Sequence, residues 1–386
     1  MPRMEGAGLR PSLSPAIDAP DAPRLTPGVC RTGGGQGMSG TPDIICEKRG
    51  AAGLVILNRP QALNALNLTM VRGLASALDR WAVDPGIRNV VVIGAGDKAF
   101  CAGGDIRALH DLGRTGAHEE ALAFWREEYE LNIRIKTYPK PYIALIDGIV
   151  MGGGVGVSLH GSHRVAGDKY LFAMPEVGIG FFPDVGATYA LPRLHGRMGE
   201  YLALTGARIK AADAVALGLA TAYVPSERIE ALREDLLKGE APADAISRHN
   251  ANAGLPPLRN EEVLIEDAFG QETIGGIFKT LERLAHESRF ATDTLAIMRM
   301  KSPTSLAIAH EQMHIGPSLD FIAAMNLEFR IVSRIIGGHD FYEGVRAVII
   351  DKDQKPVWSP ARIEQLKQQE IAAYFAPLPG GELREH

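Results

Sequence analysis

From Ile44 onward the chain alternates short unbroken apolar runs with longer stretches in which apolar residues recur every three or four positions. GLVILN (Gly53 to Asn58), NVVVI (Asn89 to Ile93) and Tyr142 to Ile146 have the length and composition of buried strands. Between the first two, Met70, Val71, Leu74, Leu78 and Trp81 recur at helical spacing, and Asn67 stands where its side chain caps a helix start. A longer amphipathic helix is predicted over His118 to Lys136, ending at TYPKP (Thr137 to Pro141) because proline cannot continue the hydrogen-bond ladder. This alternation of strand, glycine turn and helix predicts an α/β layered domain. After Val224 the text becomes almost wholly helical to about Phe375, with IEALREDLLK, IGGIFKTLERLAHES and FIAAMNLEFRIVSRI as its clearest stretches. AGLPPL interrupts that pattern near Gly254 to Pro257. The chain therefore divides into a core over 41–255, a helical region over 256–376 and a short tail over 377–386. Residues 1–40 are rich in Pro, Gly, Ala and Ser without a sustained period, and read as a disordered tail.

Composition narrows the partners. The formal net charge is −5, so the basic field that non-specific nucleic-acid binding needs is missing, and no nucleic-acid partner is expected. No apolar run approaches the roughly 18 residues of a membrane span, so no membrane partner is expected either. The three cysteines, Cys30, Cys46 and Cys101, lack CxxC spacing, which argues against a disulfide framework and a zinc ribbon. A reducing, cytoplasmic location follows, or the mitochondrial matrix if residues 1–40 are a presequence. Arg3, Arg10 and Arg24 suit a presequence, whereas Glu5, Asp18 and Asp21 do not. Met38 is an alternative start. Glycine is abundant, 43 of 386 residues, and concentrated in a few loops, which marks those loops as turns or sites.

The most informative stretch runs from Val150 to Gly186. VMGGGVG (Val150 to Gly156) lets a backbone approach a ligand closely and leaves amide N–H groups uncovered. FAMPEVGIGFFPDVG (Phe172 to Gly186) sets Glu176 and Asp184 among apolar and glycine residues, which desolvate a carboxylate and raise its pKa. Bare amides beside sheltered acids suit acyl chemistry, with donors for a developing oxyanion and carboxylates to attack or move protons.

Taken together and in order, RPQALNALN, AFCAGGDIRAL, KPYIALIDGIVMGGGVG, FAMPEVGIGFFPDVG and YLALTGARI resemble the crotonase (enoyl-CoA hydratase/isomerase) superfamily over roughly residues 42 to 225. FWREEYELN, PEVGIGFFPDVG, SPTSLAIA and GHDFYEGVRAVIIDKDQKPVW extend the resemblance to about residue 376, and are similar to its thioester-hydrolysing branch, which acts on short branched 3-hydroxyacyl-CoA. The resemblance implies a crotonase-like (ClpP/crotonase) α/β fold, a superhelix of β-β-α turns followed by helices. It implies oxyanion donors at the amides of Gly104 and Gly153, catalytic acids at Glu176 and Asp184, and a substrate-contacting acid at Glu128. It also implies CoA contacts along Gly104, Asp105, Ile106 and Arg107. The neighbouring Glu127 is expected on a solvated helix face, and Trp125, Phe181 and Phe182 are candidates for the acyl pocket. CoA enters as part of the substrate, with no other cofactor and no metal. A homo-oligomer, trimer or hexamer, is common among such relatives, although the longer helical tail here offers cover for the same surface. The hydratase and isomerase reading is the alternative. Hydratases carry a second glutamate where this chain has Gly156, and its absence favours hydrolysis.

Three patterns compete. HEQMH (His310 to His314) satisfies the zinc spacing H-E-x-x-H, but the sequence shows no third ligand, and a surface helix is the simpler expectation. GVSLHG does not match G-x-S-x-G, and Ser158 falls within an expected helix. GGGVG fails the dinucleotide spacing.

Overall fold

The strands predicted from unbroken apolar runs are apolar at every position because both of their faces are covered. In the computed structural model, which describes residues 41–383, β1 (Ile44–Arg49), β2 (Ala52–Leu57), β3 (Asn89–Gly94), β5 (Tyr142–Ile146), β7 (His163–Ala166) and β9 (Ala222–Tyr223) form a six-stranded sheet in that order. The first pair is antiparallel and the rest are parallel. Side chains alternate across it with the period of two that a strand imposes. Val55, Leu57, Val90, Val92 and Ala144 enter one apolar cluster, and Leu54, Val91, Ile143 and Leu145 enter the other. A parallel sheet buried on both faces loses the polar half of the alternation.

A second sheet carries the site. β4 (Ala99–Cys101), β6 (Ile149–Met151) and β8 (Leu171–Ala173) are parallel, with β6 in the middle. AFCAGGDIRAL is therefore a short strand, a turn and then a helix, where the sequence suggested only a glycine-bearing loop.

The predicted helices form where expected. α1 (Leu68–Val83) buries Met70, Val71, Leu74, Leu78 and Trp81 together with Ala77, and the Met70 N–H donates to the Asn67 side chain at 2.9 Å. Such a cap contributes on the order of 1 kcal/mol. α2 (Ile106–Arg114) follows the turn after β4, and α3 spans His118–Lys136. α4 (Gly153–Leu159) follows β6 after the single residue Gly152. The helices after Val224 divide between the two clusters. Leu232, Leu236, Ala245 and Ile246 close the outer face of the large sheet. Later helices contribute Phe269, Leu306, Phe329 and Phe341 to the same cluster as Trp125 and Tyr129, beside the second sheet. The helix Pro303–Ile315, which holds HEQMH, is not a surface helix. Leu306, Ile308, Ala309, His310, Gln312 and Met313 are all buried on it. Residues 1–40, read as a tail or presequence, lie outside the described residues.

Candidate active site

Three parallel neighbouring strands deliver their following turns to one end of the small sheet, as open α/β sheets do at ligand sites. β4 leads to Gly104, β6 to Gly153 and β8 to Glu176. These residues line a cavity of about 740 Å³ together with Asp105, Ile106, Arg107, Glu128 and Asp184. Every residue named from the sequence as catalytic, substrate-binding or CoA-binding is thus in the wall of one cavity. Trp125 and Phe181 also line it, stacked at 5.6 Å between ring centroids. Phe182 does not. It is fully buried and packs against Phe181, so its place in the acyl pocket is corrected to a supporting one.

The two glycine turns are built to present amides. Gly103 and Gly152, each preceding a presented amide, have φ of +123° and +47°, where a Cβ is disfavoured. Leu66 N donates to the Gly103 carbonyl, and Asp105 N donates to the Leu66 carbonyl, both at 2.8 Å. That bridge flanks Gly104 and turns its own N–H away from Leu66. Gly153 starts α4, where the first amides have no intrahelical acceptor. Among the described residues no backbone carbonyl accepts from either amide. A Cβ on Gly153 would stand 3.2 Å from Gly104 N and 2.5 Å from Glu128 Oε1. The side chain is missing where the second amide and an acid must come close.

The acids are held by groups from four distant elements. Asp184, 5% exposed, accepts from the Tyr129 hydroxyl of α3 at 2.8 Å. Its loop is strained, since Val185 has φ of +52°, and it is clamped from outside. His160 Nε2 donates to the Val185 carbonyl at 2.7 Å, and Gln312 donates to the Pro183 carbonyl at 2.9 Å. The N–H groups of Gly186 and Thr188 donate to the two oxygens of buried Glu328 at 2.8 and 2.9 Å. Glu176 opens a 3₁₀ turn that ends at Gly180 in the left-handed region. Glu176 Oε2 and Glu128 Oε1 are buried without a hydrogen-bond partner.

Burial dominates the electrostatics. It pushes Glu176 and Glu128 well above the usual carboxylate range, and the Asp184 charge adds to the shift in both. Asp184 is raised to about 7, with the Tyr129 hydrogen bond pulling the other way. Glu328, desolvated and facing Asp184, is raised to about 8. Burial and mutual repulsion thus both oppose the simultaneous ionisation of these acids.

Other residues were not singled out from the sequence. Lys301 lines the cavity close enough to act on the Glu176 charge, and Arg59 reaches Asp105 at 2.9 Å. Tyr129 and Glu328 fall within ordinary helical stripes, so only their buried partners reveal them. Glu127 pairs with Arg72 at 2.6 Å away from the cavity, as a solvated face requires. Ser158 Oγ is turned back onto the Gly154 carbonyl at 2.7 Å and takes no part in the cavity wall. Gly156 is also absent from that wall. A Cβ there would meet Val185 Cβ at 2.8 Å and Asn132 Nδ2 at 2.9 Å.

Residues 52–375 match the profile of the family described as enoyl-CoA hydratase/isomerase. The chain belongs to the enoyl-CoA hydratase/isomerase family. Within this family it is 45% identical over 349 residues to a Xenopus laevis protein named 3-hydroxyisobutyryl-CoA hydrolase, mitochondrial, covering 87% of this chain and 89% of that one. The Homo sapiens protein of the same name is 41% identical over 354 residues, 89% of this chain and 90% of that one. Among solved structures, a carnitinyl-CoA dehydratase from Mycobacterium thermoresistibile is 36% identical with a TM-score of 0.85, covering 89% of this chain and 99% of that chain. An enoyl-CoA hydratase from Rhodobacter sphaeroides is 39% identical with a TM-score of 0.83, covering 89% and 100%. The crotonase-like fold implied by the sequence motifs is the fold of this family member.

Proposed function

We infer that the chain hydrolyses a short branched 3-hydroxyacyl-CoA thioester, 3-hydroxyisobutyryl-CoA, to the free acid and CoA, as in valine catabolism. The observation that carries this reading is the convergence of two uncovered glycine amides and three buried carboxyls on one cavity. The thioester oxygen sits between the N–H groups of Gly104 and Gly153, which stabilise it as it becomes an oxyanion. Each such donor is worth about 2.7–4 kcal/mol of barrier. Glu176 lies beside Gly152, with its Oε1 3.1 Å from where a Cβ would stand. It either attacks the carbonyl carbon, forming an acyl anhydride that water opens, or removes a proton from the attacking water. In both routes the carbon–sulfur bond breaks and the sulfur takes a proton, which Asp184 relays. Glu128 orients the substrate, and the turn from Gly104 through Arg107 contacts CoA. The chemistry as drawn needs no resident cofactor, because CoA arrives with the substrate.

The hydratase and dehydratase names of the two solved structures favour a second reading, addition of water to an unsaturated acyl-CoA. That reaction calls for a second acid where Gly156 stands, and Val185 and Asn132 occupy the space in front of it. Free-thiol release from 3-hydroxyisobutyryl-CoA, with crotonyl-CoA in parallel, separates the two. Wild type should release thiol, and Glu176→Gln should bind the thioester but lose release. Conversion of crotonyl-CoA without free thiol defeats the hydrolase assignment. A single turnover in ¹⁸O-water places label in Glu176 only by the anhydride route.

The relatives' names carry the word mitochondrial, which stands against the cytoplasmic expectation. We place the protein in the mitochondrial matrix, with residues 1–40 as presequence. The trimer or hexamer implied by the sequence resemblance remains part of this proposal.

A further inference from the structure

The two histidines of HEQMH lie outside the acyl site, and the fold supplies the third group that the sequence lacks. Helical spacing stacks His310 and His314 with ring centroids 4.2 Å apart. The helix Met198–Thr205 brings Glu200 to them, with Oε1 2.5 Å from His310 Nδ1 and 3.8 Å from His314 Nε2. One donor atom from each of the three residues lies within 4.8 Å of the others.

The hydrogen-bond pattern requires a proton or a metal ion between two of them. His310 Nε2 faces the Glu272 carbonyl at 3.2 Å, and a carbonyl only accepts, so Nε2 carries a proton. In a neutral ring Nδ1 then presents a lone pair to a carboxylate oxygen, which also has nothing to donate. The short contact is held by a shared proton or by a metal.

Glu200 itself points to a ligand. It is 3% exposed, and its Oε2 has no hydrogen-bond partner, the guanidinium of Arg197 standing 3.8 Å away. A buried carboxylate oxygen left without a hydrogen bond is costly. The bond from Nε2–H to a backbone carbonyl is also the outer contact that metal-bound histidines make.

We propose that Glu200, His310 and His314 form a divalent-metal site of the class that takes zinc, in which the metal replaces the proton shared by His310 and Glu200. Two imidazoles and a carboxylate suit zinc, with bonds of about 2.0–2.2 Å and a fourth position for water. His314, whose side chain is 36% exposed, provides the entry. The metal clasps the helices Met198–Thr205 and Pro303–Ile315. None of its three ligands lines the acyl cavity.

The test titrates chelator-stripped full-length protein with Zn²⁺ against a chromophoric competitor, for wild type and His314→Ala. Thermal melting is followed with and without Zn²⁺. Wild type should bind one Zn²⁺ per chain and melt at a higher temperature when loaded. His314→Ala should keep its metal-free melting temperature, lose the zinc-dependent rise and bind at least ~100-fold more weakly. Anomalous diffraction at the zinc edge should place the peak among the three side chains. Equal affinity in the two proteins, an anomalous peak elsewhere, or no stoichiometric binding by wild type overturns the proposal.

Discussion

Replacing Asp184 with Asn should make the protein more stable at neutral pH while stopping its chemistry. An unfolded chain releases the Asp184 proton near its ordinary pKa of 3.8, whereas burial in the fold holds it to about 7. Between those two values the native state binds the extra proton, so stability falls as pH rises through this window and levels off above it. The slope is about 1.4 kcal/mol per pH unit, and over the whole window the penalty reaches roughly 4 kcal/mol. Asparagine occupies the same space, still accepts from the Tyr129 hydroxyl through its Oδ1, and never ionises. It also removes the charge that raises Glu176, Glu128 and Glu328. Urea unfolding followed by tryptophan fluorescence at several pH values from 4 to 8 measures the gap directly. The two proteins should be nearly equal at the acid end, with the variant ahead by about 4 kcal/mol at pH 8. Thiol release should be lost in the variant at every pH. A stability gap that does not change with pH, or a variant that is the weaker protein at pH 8, would refute the idea that Asp184 is held protonated by desolvation.

Two further substitutions probe the backbone of the site. Gly153→Val places a Cβ 2.5 Å from Glu128 Oε1 and 3.2 Å from Gly104 N. It should lower kcat for thiol release by about 10²–10³-fold, and an unaltered kcat in a folded variant removes the oxyanion role. Gly156→Glu drives a side chain into Val185 and Asn132. It should cost about 1–3 kcal/mol of stability and confer no hydration of crotonyl-CoA, whereas measurable hydration would show that the missing acid alone decides the reaction.

Local chemistry in the sequence was enough to specify most elements. The stripe of α1 and its Asn67 cap, the extent of α3 and strand β5 follow from periodicity and from proline and capping rules that act within a few residues. The glycine turns and both acids of the Val150 to Gly186 stretch were legible for the same reason, since bare amides and desolvated carboxylates are properties of adjacent residues. What only the tertiary structure decided depends on residues far apart in the chain. Parallel pairing of β4, β6 and β8 sets Gly104, Gly153 and Glu176 at one end of one sheet. Glu328 and Gln312, more than a hundred positions downstream, clamp the loop that holds Asp184. HEQMH looked like a surface helix because its own residues do not show that Glu200 lies against it. A side chain's type is written in the sequence. The pKa of a carboxyl and the third member of a ligand set are properties of what packs against it, and long-range packing is what the local pattern does not record.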